Sequence, residues 1–532
     1  MASKKFVSAR CAIAFAVAAV TLGAPLLVQA QPATQQERVI VSFKAGQGSA
    51  VRAAIARAGG RVVVELDEFN AVAVRLPASA IAALKRHGSV ASIEADPLRH
   101  AMGGKATTLR RAGAAAVVST EVAPFGIPMV QADQVMFMAD GGRKLCIVDS
   151  GFDAAHEDLQ KSGVTGIDLT GSGIGSWNTD EAFHGTHVAG TVAAIGGNGL
   201  GVVGVIPTGT LPLHISKVFD ASGSAASSTI IKGVLNCSKA KANVISMSLG
   251  GGRPTTFENK VYEAMAKRGI LVIAAAGNAG DTSTSYPAGY ASVMSVAAID
   301  VNKVRASFSQ ANADVEIAAP GVDTLSTVPM GTNVDSTLAI GGTSYASTPM
   351  DGSPLLAATG ALANFGLGDT PVAGSMSGKV CLIQRGVISF ADKVLNCKSS
   401  GGVGAVIYNN VSGMLLGTLG GIATTIPSVG ASDTDGALML AQAGQSASVA
   451  VQQSAYSYAS YNGTSMATPH VSAVAALVWS NFPTCSPAQI RNALNMSAMD
   501  LGTAGRDNEY GNGLVQAKAA VTYLTANACA AP

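Results

Sequence analysis

Apolar positions along the chain fall into two kinds of run. Short unbroken ones have the length of buried strands, and longer ones rich in alanine and glycine have the length of packed helices. Between residues 38 and 94 the pattern changes quickly. Arg38–Phe43 reads as a strand, Ala50–Ala58 as a helix, Arg61–Leu76 as a strand pair, Ser79–His87 as a helix and Val90–Glu94 as a strand. This is a small α+β unit with a ferredoxin-like order of elements. Further on, Lys144-Leu-Cys-Ile-Val-Asp149 is an apolar strand that stops at a carboxylate and a turn, and Ile245 to Gly252 reads as a core strand running into glycines. Ile270–Ile273 is another such strand, leading into Ala274-Ala-Ala-Gly-Asn278. His184 to Ala194 has the small residues of a closely packed helix, and Val471–Trp479 is apolar enough for a buried one. Gly378–Gly386, Phe390–Lys393 and Gly404–Asn410 again alternate strands and a helix. Fully apolar strands alternating with helices predict an α/β body, a parallel sheet flanked by helices.

The first apolar run is of another kind. Lys4, Lys5 and Arg10 precede Cys11 to Val28, and Val28-Gln-Ala30 puts small residues at a cleavage position, the layout of a secretory signal peptide over residues 1–30. Gly23 and Pro25 interrupt the run, and no second long apolar span follows. The expected product is secreted and soluble, with no membrane partner after signal removal, although 48% of the residues are hydrophobic. Retention in the periplasm or at the cell surface is compatible with the same signal. A net charge of +2 without a basic block argues against nucleic acid as partner. Of the 7 cysteines, Cys11 leaves with the signal, and 7 minus 1 gives an even 6, suited to an oxidising compartment. Their pairing is open. Cys381 with Cys397 and Cys485 with Cys529 are the local pairs, which leaves Cys146 and Cys237; Cys146, inside a strand, also reads as a buried free thiol. At 532 residues the chain exceeds one compact domain, and Met102 to Thr120, rich in Gly, Ala and Arg, has linker composition.

Asn462-Gly-Thr-Ser-Met-Ala-Thr-Pro-His470 carries the candidate chemistry, a hydroxyl at the start of the apolar helix. Gly463 uncovers the approach to Ser465, and Pro469 is expected within the first helical turn, where a missing N–H costs little. A helix starting here aims free N–H groups and its positive dipole end at the Ser465 hydroxyl and at an oxyanion beside it. The near copy Gly342-Thr-Ser-Tyr-Ala-Ser-Thr-Pro349 is followed by Met350 and Asp351 and has no helical period, so Ser344 reads as loop or linker. A serine nucleophile needs a base, and the base an orienting carboxylate. His184 opens its helix and can protrude into a cleft. His187, three residues on, would make a metal pair with it, but no glutamate lies between or beside them, and metal is the weaker reading. Asp149 ends its strand where a parallel sheet lines its active crevice. Each residue alone has a bland reading as a cap or a loop residue; the order Asp, His, Ser makes them a set.

Val148-Asp-Ser-Gly151, His184-Gly-Thr-His-Val-Ala-Gly190 and Gly463-Thr-Ser-Met-Ala-Thr-Pro-His470 resemble the three signatures of the subtilisin-like serine proteases. The resemblance runs from about Pro124 to Val521, with one interruption. It implies a subtilisin-like sheet flanked by helices over residues 121–330 and 456–532. It also implies a secreted endopeptidase that cleaves proteins or peptides through an acyl-enzyme, is monomeric, and needs no cofactor for the chemistry. Asp149, His184 and Ser465 become the triad, and Asn278 the side-chain donor to the oxyanion, beside the Ser465 N–H. Ser248, Leu249 and Gly250 match one wall of the first specificity pocket, Ala275, Ala276 and Gly277 the other, and Ser285 the floor. With no carboxylate at these positions, broad specificity with a medium-to-large apolar residue before the scissile bond is expected. Asp158, in Asp153-Ala-Ala-His-Glu-Asp-Leu159, and Asn198, in a loop with an extra glycine, match a structural calcium site.

The α+β unit, residues 31–101, resembles the family's inhibitory propeptide, an intramolecular inhibitor that leaves its last residues in the cleft until they are cut. The maturation cut is then expected within residues 102–120. Residues 331–455 resemble an inserted protease-associated (PA) α/β domain, expected over or beside the cleft and acting on access by large substrates, or else passive. Two further functions compete: a catalytically silent relative that binds through the insertion, and an esterase or acyltransferase. The intact residue set speaks against the first, and the lack of a Gly-x-Ser-x-Gly elbow at Ser465 against the second.

Overall fold

The computed structural model describes residues 36–102, 120–173, 176–415, 417–454 and 456–529. The expected signal peptide, and the expected linker from residue 103 to 119, lie outside the described residues.

Strands β1 (Gln36–Phe43), β2 (Arg61–Leu66), β3 (Ala71–Pro77) and β4 (Val90–Ala95) form an antiparallel sheet in the order β2-β3-β1-β4. Helices Gly48–Arg57 and Ala78–Lys85 cover one face. The alternation of β1 divides its residues: Val39, Val41 and Phe43 pack under these helices, while Ile40 faces the other way into the core of the larger body. The predicted pair over Arg61–Leu76 is split by a tight turn at Asp67–Asn70, where Asn70 takes the left-handed conformation. A further strand, β5 (Leu98–Ala101), has no signature in the local sequence.

The body contributes β6 (Leu145–Asp149), β7 (Val164–Asp168), β8 (Leu213–Lys217), β9 (Ser224–Ala226), β10 (Val244–Met247), β11 (Leu249–Gly250), β12 (Leu271–Ala275), β13 (Val293–Ile299) and β14 (Ile317–Pro320). Seven of them form one parallel sheet in the order β14-β13-β12-β10-β6-β8-β7. Along β6, Leu145 and Ile147 belong to one core while Cys146 and Val148 belong to the other, which is why the strand reads as unbroken apolar sequence. Helices His184–Ala193 and Thr464–Asn481 fill the first face, and Ser227–Lys239 and Thr256–Lys267 the second.

The N-terminal unit sits on the starts of these last two helices. The Asp96 carboxylate accepts from the Ser228 N–H at 2.8 Å and from the Ser228 hydroxyl at 2.6 Å, and Glu94 accepts from the Thr256 N–H at 2.7 Å. Each carboxylate thus satisfies N–H groups that a helix start leaves unpaired, at the positive end of its dipole.

The insertion forms an eight-stranded mixed sheet between Val334 and Gln453. Val380–Gln384, helix Phe390–Ser399 and Gly404–Tyr408 appear where the sequence pattern predicts them. Thr324–Thr327 pairs antiparallel with Tyr458–Tyr461, so the chain leaves and re-enters the body side by side. Ser344 lies exposed in a short strand, Thr343–Tyr345, rather than in a loop; pairing with the preceding strand organises it, and no helix starts there. Disulfides join Cys146–Cys237, Cys381–Cys397 and Cys485–Cys529, so Cys146 is no free thiol. Among the described residues no helix is long and apolar enough to cross a membrane.

Candidate functional site

The end of β6 delivers Asp149 to the carboxyl edge of the parallel sheet, and His184 opens the helix beside it. His184 Nδ1 donates to Asp149 Oδ1 at 2.8 Å, and the same oxygen accepts from the Ser150 N–H at 2.7 Å. Both side chains are buried. Asp180 braces the corner by accepting from the Ser150 hydroxyl, the Phe183 N–H and the N–H and hydroxyl of Thr186. Burial pulls the His184 imidazole down, but the charge and hydrogen bond of Asp149, with the charge of Asp180, outweigh it and hold the pKa above its usual value. Among the described residues Nε2 has no hydrogen-bond partner, and it is the nitrogen left to exchange a proton.

His187 does not share this site. Its Nε2 donates to the Thr324 and Ala459 carbonyls, both at 3.0 Å, and its ring stacks on Tyr461. Burial, only partly offset by those carbonyls, drives its pKa down to about 3. The two histidines do not converge as a metal pair.

Ser465 is the second residue of the Thr464–Asn481 helix, with Gly463 before it at φ 154°. Asn278 Oδ1 accepts from the Thr464 N–H at 2.9 Å and from its hydroxyl at 2.8 Å, which aims the amide nitrogen at the space above Ser465. A Cβ on Gly463 would fall 2.7 Å from the Met102 carbonyl oxygen, 2.8 Å from Ser465 Oγ and 3.2 Å from Asn278 Nδ2. These atoms therefore meet in space that only glycine leaves open. Pro469 is not in the first turn as expected but in the second, because the helix already begins at Thr464. Its missing N–H deprives the Ser465 carbonyl of a helical donor, and the Ser248 hydroxyl replaces it at 2.7 Å.

The cleft holds the last residues of the N-terminal unit, its tail. β5 lies between β11 and β9 as the middle strand of a three-stranded antiparallel sheet, with Ala101 opposite Leu249 and His100 opposite Gly250 and Ser224. The Met102 N–H donates to the Ser248 carbonyl at 3.0 Å, and the Ser465 hydroxyl donates to the Met102 carbonyl. The side chain of Met102 enters the predicted pocket: a Cβ on Gly250 would lie 2.7 Å from Met102 Cε and 2.4 Å from Ser285 Oγ. Ala275, Ala276 and Gly277 are buried on the other side, and Gln310 abuts Gly277. The surrounding cavity of about 750 Å³ is also lined by Ala221, Ser222 and Gly223, and by none of the described residues of the insertion. Gln310 and the Ala221–Gly223 stretch escape sequence reading, since nothing in their local pattern marks a pocket.

Asp158 and Asn198 do meet, but not as a calcium cage. Asn198 Nδ2 donates to Asp158 Oδ1 at 2.8 Å, the Val202 N–H donates to Oδ2 at 2.8 Å, and the Asn198 side-chain oxygen is taken by the Leu200 N–H. N–H donors rather than carbonyl oxygens converge on the carboxylate, and burial raises its pKa to about 6. Among the described residues no group of three or more His, Cys, Asp or Glu is arranged to hold a metal ion. This donor set does not fit calcium.

Comparison with known proteins agrees with the geometry. The subtilase family model matches residues 140–359 and 430–513, a PA domain model residues 348–439, and a putative peptidase inhibitor domain model residues 12–96. Subtilisin DY of Bacillus licheniformis is 40% identical over 242 residues, covering 44% of this chain and 84% of that protein. Subtilisin E of Bacillus subtilis (strain 168) is 35% identical over 331 residues, covering 60% of this chain and 80% of that protein. The crystal structure of the psychrophilic subtilisin-like protease Apa1 from Pseudoalteromonas sp. AS-11 superposes with a TM-score of 0.56 at 42% identity, over 77% of this chain and 100% of that one. With a hydrogen-bonded aspartate–histidine pair at the cleft in which Ser465 meets the Met102 carbonyl, and with these likenesses, the chain belongs to the subtilase family and is a subtilisin-like serine peptidase.

Proposed function

We propose that the protein is a secreted endopeptidase made as a self-processing zymogen, with Asp149, His184 and Ser465 as its triad. Ser465 Oγ attacks the substrate carbonyl carbon while His184 Nε2 takes the hydroxyl proton, and Asp149 holds the imidazole and stabilises its charge. The Asn278 amide and the Ser465 N–H carry the oxyanion. His184 then returns the proton to the leaving amine, and water repeats the sequence on the acyl-enzyme. The observation that carries this reading is the Met102 carbonyl seated on the Ser465 hydroxyl by an antiparallel strand. The expected propeptide, residues 31–101, together with Met102 acts as the intramolecular inhibitor, and the first bond cut is the one following Met102. The methionine in the pocket, with no carboxylate at Ser248–Gly250, Ala275–Gly277 or Ser285, supports an apolar preference before the scissile bond. Because none of the described residues of the insertion lines the cavity, its effect is expected on substrates that extend beyond the cleft.

Expression of the wild type beside Ser465→Ala tests the proposal, following chain size and the new N-terminus by mass spectrometry. The wild type should lose its N-terminal unit and begin at Gly103, while the variant keeps it. Equal processing of both chains, or none in the wild type, would contradict self-cleavage.

A further inference from the structure

The tail in the cleft carries one side chain whose setting the peptide-bond chemistry does not require. Arg99, three residues before Met102, is fully buried on a strand whose neighbour Leu98 is 58% exposed. Its Nη2 donates to Glu258 Oε2 and to the Arg253 carbonyl, both at 2.6 Å, and its Nε reaches Glu258 Oε1 at 3.4 Å. The stem runs over Gly251, where a Cβ would lie 3.4 Å from Arg99 Cδ. Glu258 is itself buried and fixed from within the body: Ser227 Oγ donates to Oε1 and the Tyr290 hydroxyl to Oε2, each at 2.8 Å. None of these partners belongs to the tail.

A buried ion pair is by itself weak evidence of stabilisation, since desolvation offsets much of the attraction. Its position is what gives this one a function. β5 is held by backbone pairing to β11 and β9, a mode that is indifferent to side chains and open to any extended peptide. A substrate lying where β5 lies, with its scissile carbonyl where that of Met102 is, puts its fourth residue before the scissile bond into the Glu258 socket. The socket is also particular about the cation. A planar guanidinium spans both carboxylate oxygens and the Arg253 carbonyl at once, whereas an ammonium presents a point charge without that fork.

Building on the endopeptidase reading above, we propose that Glu258 is a specificity-determining residue that selects arginine four residues before the scissile bond. The preferred substrates are peptides of the form Arg-x-x-apolar, the pattern Arg99-His-Ala-Met102 carries in the protein's own tail.

The test uses active enzyme obtained from the full-length chain and quenched fluorescent peptides that share methionine before the cut and differ only at the fourth residue: Arg, Lys, Leu or Ala. Arginine should exceed leucine and alanine in kcat/KM by roughly 100-fold, the low end of what losing one partner of a buried charge pair costs, with lysine between. Glu258→Gln, which keeps the volume and can still meet Ser227 and Tyr290, should bring the four peptides to within a few-fold of one another. Equal cleavage of the four peptides by the wild type would overturn the proposal and leave the peptidase reading standing. An arginine preference that persists in Glu258→Gln would overturn the role of Glu258. Cleavage of none of the peptides would defeat the peptidase reading and this proposal with it. Should Glu258→Gln fail to fold, the wild-type peptide series decides alone.

Discussion

Asp149→Asn isolates the part of the site that the protein interior controls most strongly. In the wild type the carboxylate stands 2.8 Å from His184 Nδ1, with both groups buried. When His184 takes the Ser465 proton, unit charges at that separation attract by about 6 kcal/mol at an effective dielectric of about 20. At about 1.4 kcal/mol per decade this corresponds to roughly four orders of magnitude in rate. Asparagine keeps the shape but loses the charge, and its amide nitrogen facing Nδ1 would favour the tautomer with the proton on Nε2, where the nucleophile's proton must go. Two readouts follow. Loss of the N-terminal unit, followed on gels as a single turnover, should slow about 10⁴-fold. Peptide hydrolysis by protein processed in trans should show its acid limb at lower pH, since burial of His184 would no longer be outweighed by Asp149. The urea midpoint serves as the folding control. Processing within tenfold of wild type in a folded variant would refute the assignment of Asp149 as orienter.

Asn278→Ala should lower kcat by about 10²- to 10³-fold with little change in KM, a magnitude carried over from the equivalent donor in a related subtilisin rather than worked from this geometry; steady-state kinetics on one peptide checks it. Replacing both Cys146 and Cys237 by alanine opens a link across 91 residues and should cost about 4 to 5 kcal/mol on the chain-entropy estimate, against about 3 kcal/mol for Cys381 and Cys397, whose link spans 16 residues. Denaturant titration of each pair, with the second loss confined to the insertion, tests the difference. The buried His187 has a pKa near 3 against an ordinary 6.5, so its contribution to stability is complete above pH 6.5 and is lost as pH falls toward 3. His187→Gln should therefore flatten the fall in unfolding free energy between pH 6 and pH 4 by about 1.4 kcal/mol per pH unit, and an unchanged slope would show that the histidine is not held neutral.

Elements whose information is local can be read from the chain alone. Asp149, His184 and Ser465 each sit in a short motif at a strand end or helix start, because a reactive group there needs glycine and small residues beside it in the chain. The fully apolar strands announced a sheet covered on both faces for the same reason, since each residue's burial is written at its own position. Where a property depends on which segments meet, the sequence fell short. The extra glycine loop carried Asn198 to Asp158 as expected, but only the folded loop decided that an N–H rather than an oxygen faces the carboxylate. Pro469 looked like a first-turn proline until the Asn278 contacts started the helix at Thr464, and the compensating donor, Ser248, lies 217 residues away. β5 has no strand signature, because the pairing that makes it a strand belongs to β11 and β9. Glu258 reads as an ordinary first-turn carboxylate on an amphipathic helix, and its partner Arg99 is 159 residues distant. The candidate triad was legible because each of its members sits in a short contiguous motif of its own. The tertiary structure alone decided what the cleft holds and which arginine it buries, because those follow from backbone pairing and desolvation between segments far apart in the chain.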